Sequence, residues 1–261
     1  MDWTKIGPVR PGERHQSVTV NVASVEALLG DLASRLAAGD GFSLATLNLD
    51  HVVKLRGDPA FRAAYAAQTH ITADGNPIVW FSRLARQPIA RIPGSDLVVP
   101  LASLAAELGQ PVALFGSTPA SLSAAAEALQ RAVPSINIVA RIAPPSGFDP
   151  GGGDAAKQVE ALRKTGARLV FVALGAPKQE LFVARAAQEM PQAGFASIGA
   201  GLDFLSGTQR RAPRFVQAMA AEWLWRAAAD PRRLTGRYIS CLAILPAVAR
   251  AALRQRAWGR P

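Results

Sequence analysis

Residues 72–80 read Thr-Ala-Asp-Gly-Asn-Pro-Ile-Val-Trp. The apolar run His70-Ile71-Thr72-Ala73 before the acid reads as the end of a buried strand. Asp74-Gly75-Asn76-Pro77 is turn chemistry, and Pro77 suits the first turn of a helix carrying Ile78, Val79 and Trp80. A strand running through such a turn into a helix is the unit of an open α/β sheet, and these sheets hold their ligands at the carboxyl ends of the strands. Asp74 therefore stands where a reacting group belongs, and Gly75 leaves room for a substrate to approach the backbone. The same four residues equally describe an acid that only caps a helix, so the rest of the chain has to decide.

Working outward, strands and helices alternate. Val18 to Val22 is a β-branched run and reads as a short strand after a loose polar arm, residues 1–17. Ser24 caps a helix with Val25, Leu28, Leu29, Leu32 and Leu36 at helical spacing, ending at Gly39. Phe42 to Leu47 is the next strand. Two helices follow, one with Val52, Val53 and Leu55 and one after Pro59, and Thr69 to Ala73 is the strand that ends at Asp74. The helix beyond it ends near Arg86. Arg91 to Asp96 is a loop, with Ser95 or Asp96 capping a helix that reaches Leu108. Strands at Pro111 to Phe115, Ile136 to Ile142, Leu169 to Leu174 and Phe195 to Ile198 alternate with helices over 120–132 and 155–164 and one that Gly175 to Glu180 opens and that runs to Glu189. This alternation predicts an α/β fold with a parallel sheet covered on both faces, over residues 18–205.

From Ser206 the character changes, and residues 206–261 read as a separate appendage. Pro213 starts a helix with Phe215, Met219 and Trp223 on one face, and Asp230-Pro231 breaks it. Tyr238 to Leu253 is apolar but holds Pro246 and Arg250, short of the ~20 apolar residues of a spanning helix. It suits an interfacial segment or a helix packed on the core. The last quarter also carries Arg210, Arg211, Arg214, Arg226, Arg232, Arg233, Arg237, Arg250, Arg254, Arg256 and Arg260 against only Glu222 and Asp230, within a net charge of +10. That asymmetry predicts a polyanionic partner: a phosphorylated substrate, an anionic membrane face or a nucleic acid.

At 261 residues, 49% hydrophobic and 18% charged, the chain has the material for a substantial core. One cysteine, Cys241, excludes an internal disulfide and a cysteine metal site, and the three histidines, His15, His51 and His70, form no metal motif. No metal and no cofactor are expected. The first sixteen residues have no apolar core, so no signal peptide is expected and the compartment reads as cytoplasmic. The turns after Phe115 (Gly116-Ser117-Thr118-Pro119) and after Leu174 (Gly175-Ala176-Pro177) offer backbone N–H groups at helix starts, which suit phosphate oxygens. Gly199-Ala200-Gly201 opens like a dinucleotide fingerprint, but Phe204 stands where the third glycine belongs, so a nicotinamide site is not expected.

The motifs TLNLDHVVKL (46–55), ADGNPIVW (73–80), RIPGSDL (91–97), LFGSTP (114–119), LGAPKQELF (174–182), GAGLDFLSGTQRRAP (199–213) and EWLWRAAADPRRLTGRY (222–238), in that order, resemble the WecG/TagA/CpsF family of bacterial glycosyltransferases. The resemblance runs from about Val18 to Tyr238. It implies a Rossmann-like core with a basic helical appendage that reaches the membrane and closes the site. It implies inverting, metal-independent transfer of a hexosyl or N-acetylhexosaminyl group from a UDP-sugar to a polyprenyl-diphosphate-linked sugar, at the cytoplasmic face of the membrane. No nucleic-acid partner is implied, and homo-oligomerisation is left open. By the same resemblance Asp74 is the catalytic base. It likewise makes Thr46, Asn48, Gln179, Arg226, Arg233 and Arg237 substrate contacts. Arg91 and Asp96 are further substrate-binding candidates, and Gly116, Ser117, Gly175, Gly199 and Gly201, at the strand-end turns, are candidates for contact with the nucleotide. Two departures stand out: Gly236 precedes Arg237 where the family often carries arginine, and Pro144-Pro145-Ser146-Gly147-Phe148 replaces a glycine-tyrosine-phenylalanine loop. The donor sugar is therefore not carried over. The rival reading is a non-catalytic basic module that binds nucleic acid or anionic lipid through its tail.

Overall fold

The computed structural model describes residues 1–5, 16–209 and 231–258, with isolated positions 213 and 225. The expected helix from Pro213, and with it Arg226, lies outside the described residues, as does the side chain of Arg233.

Six parallel strands form one sheet: β1 (Phe42–Leu47), β2 (His70–Ala73), β3 (Val112–Gly116), β4 (Ile138–Ile142), β5 (Leu169–Ala173) and β6 (Gly194–Ser197). Their spatial order is β2-β1-β6-β5-β3-β4. β1 pairs in parallel with both β2 and β6, in registers such as Thr46 with Thr72 and Leu44 with Ala196. The chain therefore winds outward to β2 on one side and to β4 on the other. β5 and β6 fill the centre, where both faces are covered and β1, β5 and β6 are buried at every residue.

Between the strands run α1 (Val25–Ala38), α2 (Leu49–Gly57), α3 (Pro59–Ala66), α4 (Asn76–Leu84), α5 (Gly94–Glu107), α6 (Pro119–Ala132), α7 (Gly153–Lys164), α8 (Lys178–Glu189), α9 (Gly201–Leu205) and, at the end, α10 (Pro231–Trp258). The caps behave as local chemistry dictates. Ser24 accepts from the Ala27 N–H, Thr118 from the Ser121 N–H with Pro119 behind it, and Gly39 closes α1 in the left-handed region. One differs from expectation: α5 starts at Gly94 with Pro93 at its N-cap and no side-chain cap, so neither Ser95 nor Asp96 caps it.

Strand alternation sorts the core. Phe42, Leu44, Leu114, Phe171 and Ala196 face α1, α5 and α6 through Leu28, Leu32, Leu101 and Leu122. On the other face, Phe115, Val172 and Phe195 meet α7 and α8 through Val159, Leu162 and Phe182. Ala45, Leu47 and Ile71 meet α2, α3 and α4 through Val52, Phe61, Tyr65 and Ile78. The expected strand at 18–22 is reduced to an antiparallel bridge between Asp2 and Thr19. The stretch expected as a loose arm is anchored at its first five residues, because Trp3 is fully buried with Val18 and its N–H donates to Val18 O at 2.8 Å.

α10 runs unbroken through Pro246 for 28 residues. Leu234–Ala257 is, among the described residues, the one helix long and apolar enough to cross a membrane by length and composition. Its inner face is committed elsewhere: Ile244 and Val248 are buried in the same cluster as Ile78, Val52 and Trp3. Helix α10 packs against α2 and α4, the helices that leave β1 and β2. Its outer face keeps Ile239 and Leu242 more than half exposed.

Candidate active site

All the strand carboxyl ends open into one cleft of about 620 Å³. β1 contributes Thr46 and then Asn48, and β2 contributes Asp74. β3 runs out at Ser117, β5 at Leu174 and Gly175, and β6 at Ile198 and Gly199. The loop Pro144–Phe148 forms a further wall, held by Lys178, whose Nζ donates to Phe148 O at 2.8 Å. Arg237 reaches the cleft from α10.

Asp74 is half-buried at the end of β2, and its N–H donates to Leu47 O at 2.7 Å. The N-cap of α4 is Gly75, with φ 103° and no side-chain cap bond. Only a residue without Cβ adopts that angle easily. The turn thus sets Asp74 at the cleft wall, and Pro77 stands in the first turn of the helix behind it. Arg91 comes beside it because Ala73 and Arg91 form a parallel bridge, tied by the Ile92 N–H to Ala73 O (2.8 Å) and Thr72 Oγ1 to Ile92 O (2.8 Å).

The cleft is strongly polar. Lys54, Arg91, Lys178 and Arg237 line it together with Asp50, Asp74 and Asp203. Arg237 Nη2 lies 3.2 Å from Asp50 Oδ2, and Lys54 pairs with the same carboxylate. This junction joins α10 to the first turn of α2. Asp203 is held by donors on both oxygens: Ser117 Oγ at 2.6 Å and Ser121 Oγ at 2.7 Å on Oδ1, and Gln209 Nε2 at 3.2 Å on Oδ2.

Below the cleft floor lies a buried polar group of side chains. His51 Nδ1 is 2.8 Å from Tyr65 Oη, and both rings pack edge-on with Phe61. Burial, above all, pulls the His51 imidazolium down to about 3, so the ring is neutral. Burial likewise raises the Tyr65 phenol, helped by the nearby charges of Glu180 and Asp74. Glu180 is fully buried, and its carboxyl rises to about 7 for the same reason, against the pull of the Gln179 amide and Lys54.

Of the positions singled out from sequence, Thr46, Asn48, Asp74, Arg91, Ser117, Gly175, Gln179, Gly199 and Arg237 line the cleft together. Asp96, Gly116 and Gly201 do not. A Cβ on Gly116 would stand 2.4 Å from Ala173 O, and one on Gly201 would stand 2.9 Å from Val98 Cγ2. These two glycines let β3 approach β5 and α9 approach α5, which is a packing role. Several N–H groups expected to greet phosphate are already committed: Ser117 to Ala173 O (2.9 Å), Gly201 to Ile198 O (3.0 Å) and Gly199 to Gln179 Oε1 (3.2 Å). Asp50, His51, Lys54, Lys178, Glu180 and Asp203 had not been singled out. Asp50 and Lys54 carried a signal, since acid and base four apart on a helix share a face. Nothing local marks His51 or Glu180 as buried.

Among the described residues, no group of three or more His, Cys, Asp or Glu side chains is placed to hold a metal ion. A doubly wound parallel sheet with a polar, mixed-charge cleft across its strand ends defines a class: α/β proteins that take small charged ligands where the strand order reverses. Within that class, the family model for the glycosyl transferase WecG/TagA/CpsF family matches residues 15–260, and the chain belongs to this family. Its activity class is accordingly glycosyl transfer.

Proposed function

We propose that this protein transfers a sugar, with inversion and without a metal, from a UDP-sugar to a sugar on a polyprenyl diphosphate, in the building of a bacterial surface polymer. The observation that carries the reading is the position of Asp74: at the end of β2, in the cleft lining, beside the positive-φ Gly75 that opens α4. An acceptor hydroxyl attacks the anomeric carbon on the face opposite the departing UDP, and Asp74 takes its proton as the bond forms. The leaving diphosphate gains charge as the bond to C1 breaks. Lys54, Arg91, Lys178 and Arg237 supply fixed positive charge in the same cleft, and an arginine fork matches phosphate oxygens two at a time. Arg226 and Arg233 join this set by family resemblance.

The two substrates enter from different sides. α10 packs on the helices that follow β1 and β2, so its apolar outer residues Ile239 and Leu242 lie on the Asp74 side of the sheet. Exposed Arg250 and Arg254 follow further along the same helix. An apolar stripe with arginines beyond it suits the inner surface of an anionic membrane, with the helix lying on it and its inner face kept in the core. A lipid-linked acceptor thus meets Asp74 first. The nucleotide occupies the β3–β5–β6 side, between Gly175, Ser117 and the Pro144–Phe148 loop.

Incubation with a panel of UDP-sugars and a short polyprenyl-diphosphate sugar tests this. Acceptor-dependent UDP release from one donor is expected. Salt-sensitive DNA binding with no UDP binding would instead support the non-catalytic basic module.

A further inference from the structure

The backbone N–H groups of Ser117, Gly199 and Gly201 are committed inside the protein, which turns attention to side-chain donors in the cleft. Three cleft residues, Asn48, Gln179 and Gln209, are amides, and an amide can present either N–H or C=O. Asn48 and Gln179 are each held from behind in one orientation by a buried side chain. Asn48 Oδ1 accepts the His51 N–H at 3.1 Å, which identifies the carbonyl side. Its Nδ2 then stands 3.3 Å from His51 Nε2. Because Nδ2 can only donate, we assign Nε2 as the acceptor and Nδ1 as the nitrogen that carries the ring proton, 2.8 Å from Tyr65 Oη. His51 is only 5% exposed, and its neutrality keeps Nε2 available as an acceptor. Gln179 repeats the pattern. Its Oε1 accepts the Gly199 N–H at 3.2 Å, and its Nε2 donates to Glu180 Oε1 at 2.8 Å. Glu180 is fully buried, and its Oε2 has no hydrogen-bond partner among the described residues.

An amide nitrogen carries two hydrogens. At both sites a buried group takes one, and the carbonyl oxygen is engaged by backbone. We propose that His51, braced by Tyr65, and Glu180 are positioning residues that lock Asn48 and Gln179 so that each offers the cleft an N–H donor and withholds its C=O. The cleft then selects, at these two points, substrate atoms that accept hydrogen bonds: phosphate or sugar oxygens. A wrong-way amide would present a carbonyl to such an oxygen, a repulsive contact in a partly desolvated site. The substrate side of this inference rests on the transfer reaction proposed above, whereas the locking does not.

The test uses the full-length chain. Side-chain NH2 signals of Asn48 and Gln179 are assigned with Asn48→Ala and Gln179→Ala and followed by NMR with no substrate present. In the wild type, each pair is expected to show well-separated proton shifts and one slowly exchanging hydrogen. His51→Leu should move the Asn48 pair to free-amide shifts, and His51→Gln, which returns an acceptor, should restore it. Glu180→Met and Glu180→Gln should do the same for Gln179. Should leucine at 51 unfold the chain, His51→Asn withdraws the acceptor while keeping a polar group for Tyr65, and the Asn48 pair should still move. Free-amide signals in the wild type, or signals unmoved by these variants, overturn the locking. In turnover, His51→Leu should cost about 10-fold in kcat, with His51→Gln recovering most of it. The double variant with Asn48→Ala should be no slower than Asn48→Ala alone. Additive losses overturn the claim that His51 acts through Asn48. A wild type that locks its amides but transfers no sugar sinks the proposed reaction and leaves the locking standing.

Discussion

Replacing Glu180 with glutamine changes one atom of a side chain that the fold seals completely. The carboxamide has the shape of the protonated carboxyl and cannot ionise. In the native chain, burial lifts this carboxyl from 4.5 to about 7, with Asp50 adding to the rise and Gln179 and Lys54 opposing it. The folded state therefore holds the proton more tightly than the unfolded chain. The stability this group contributes is fully present below pH 4.5 and is lost as pH rises through about 7. At about 1.4 kcal/mol per pKa unit, the loss is about 3 kcal/mol, an appreciable share of the ~5–15 kcal/mol that holds a typical domain together. The gap in unfolding free energy between Glu180→Gln and wild type should move by about 3 kcal/mol in the variant's favour between pH 4.5 and about 8.5. A constant offset from a changed contact with Gln179 does not enter, because the pH dependence is the readout. His51 has the opposite sign. Its pKa falls from 6.5 to about 3, so its contribution is lost as pH drops from 6.5 toward 3. Both chains carry it, and it cancels in the comparison. In the wild type alone the two slopes oppose each other between pH 4.5 and 6.5. Urea titrations followed by far-UV circular dichroism across this range measure all of it. Parallel curves for the two chains would mean that Glu180 titrates as an ordinary carboxyl, and the sealed floor beneath the cleft would have to be abandoned.

Other perturbations reach other parts of the structure. Asp74→Asn should lower transfer by about 10²–10⁴-fold while leaving UDP binding in calorimetry intact; comparable turnover would remove Asp74 from the base role. Arg237→Ala withdraws a guanidinium from 3.2 Å off Asp50 at the cleft edge. It should weaken UDP binding by about 10-fold with little change in urea midpoint, and unchanged affinity would take Arg237 off the diphosphate. Gly116→Ala drives a Cβ to 2.4 Å from the Ala173 carbonyl, at φ 112°. The facing atom is backbone in a central strand, so a loss of about 2–4 kcal/mol is expected in the same titrations. Ile239→Glu with Leu242→Glu charges the exposed stripe of α10. Co-sedimentation with anionic vesicles should fall while UDP binding holds; unchanged pelleting would put the membrane contact elsewhere.

Local chemistry wrote much of this fold legibly. The Phe42–Leu47 run, the Ser24 cap, the Gly39 stop and the strand that ends at Asp74 all depend on residues a few positions apart, and they stand where their spacing put them. Apolar runs of five or six residues between turns can be read as buried parallel strands without knowing their neighbours. The acid at a strand end was legible for the same reason. The order β2-β1-β6-β5-β3-β4 was not, because crossovers are set by packing between elements far apart in the chain. That order alone brings Thr46, Asp74, Ser117, Gly175 and Gly199 to one cleft and leaves Asp96, Gly116 and Gly201 outside it. Tertiary structure also decided the state of the polar groups. His51 meets Tyr65 fourteen residues on, and Gln179 meets Gly199 twenty residues on. Burial, proton affinity and the facing of an amide are properties of what surrounds a group in space. A sequence can name the residue types that could take part, but only the packed fold determines which of them are dry, which are bonded, and which hydrogen is left for a ligand.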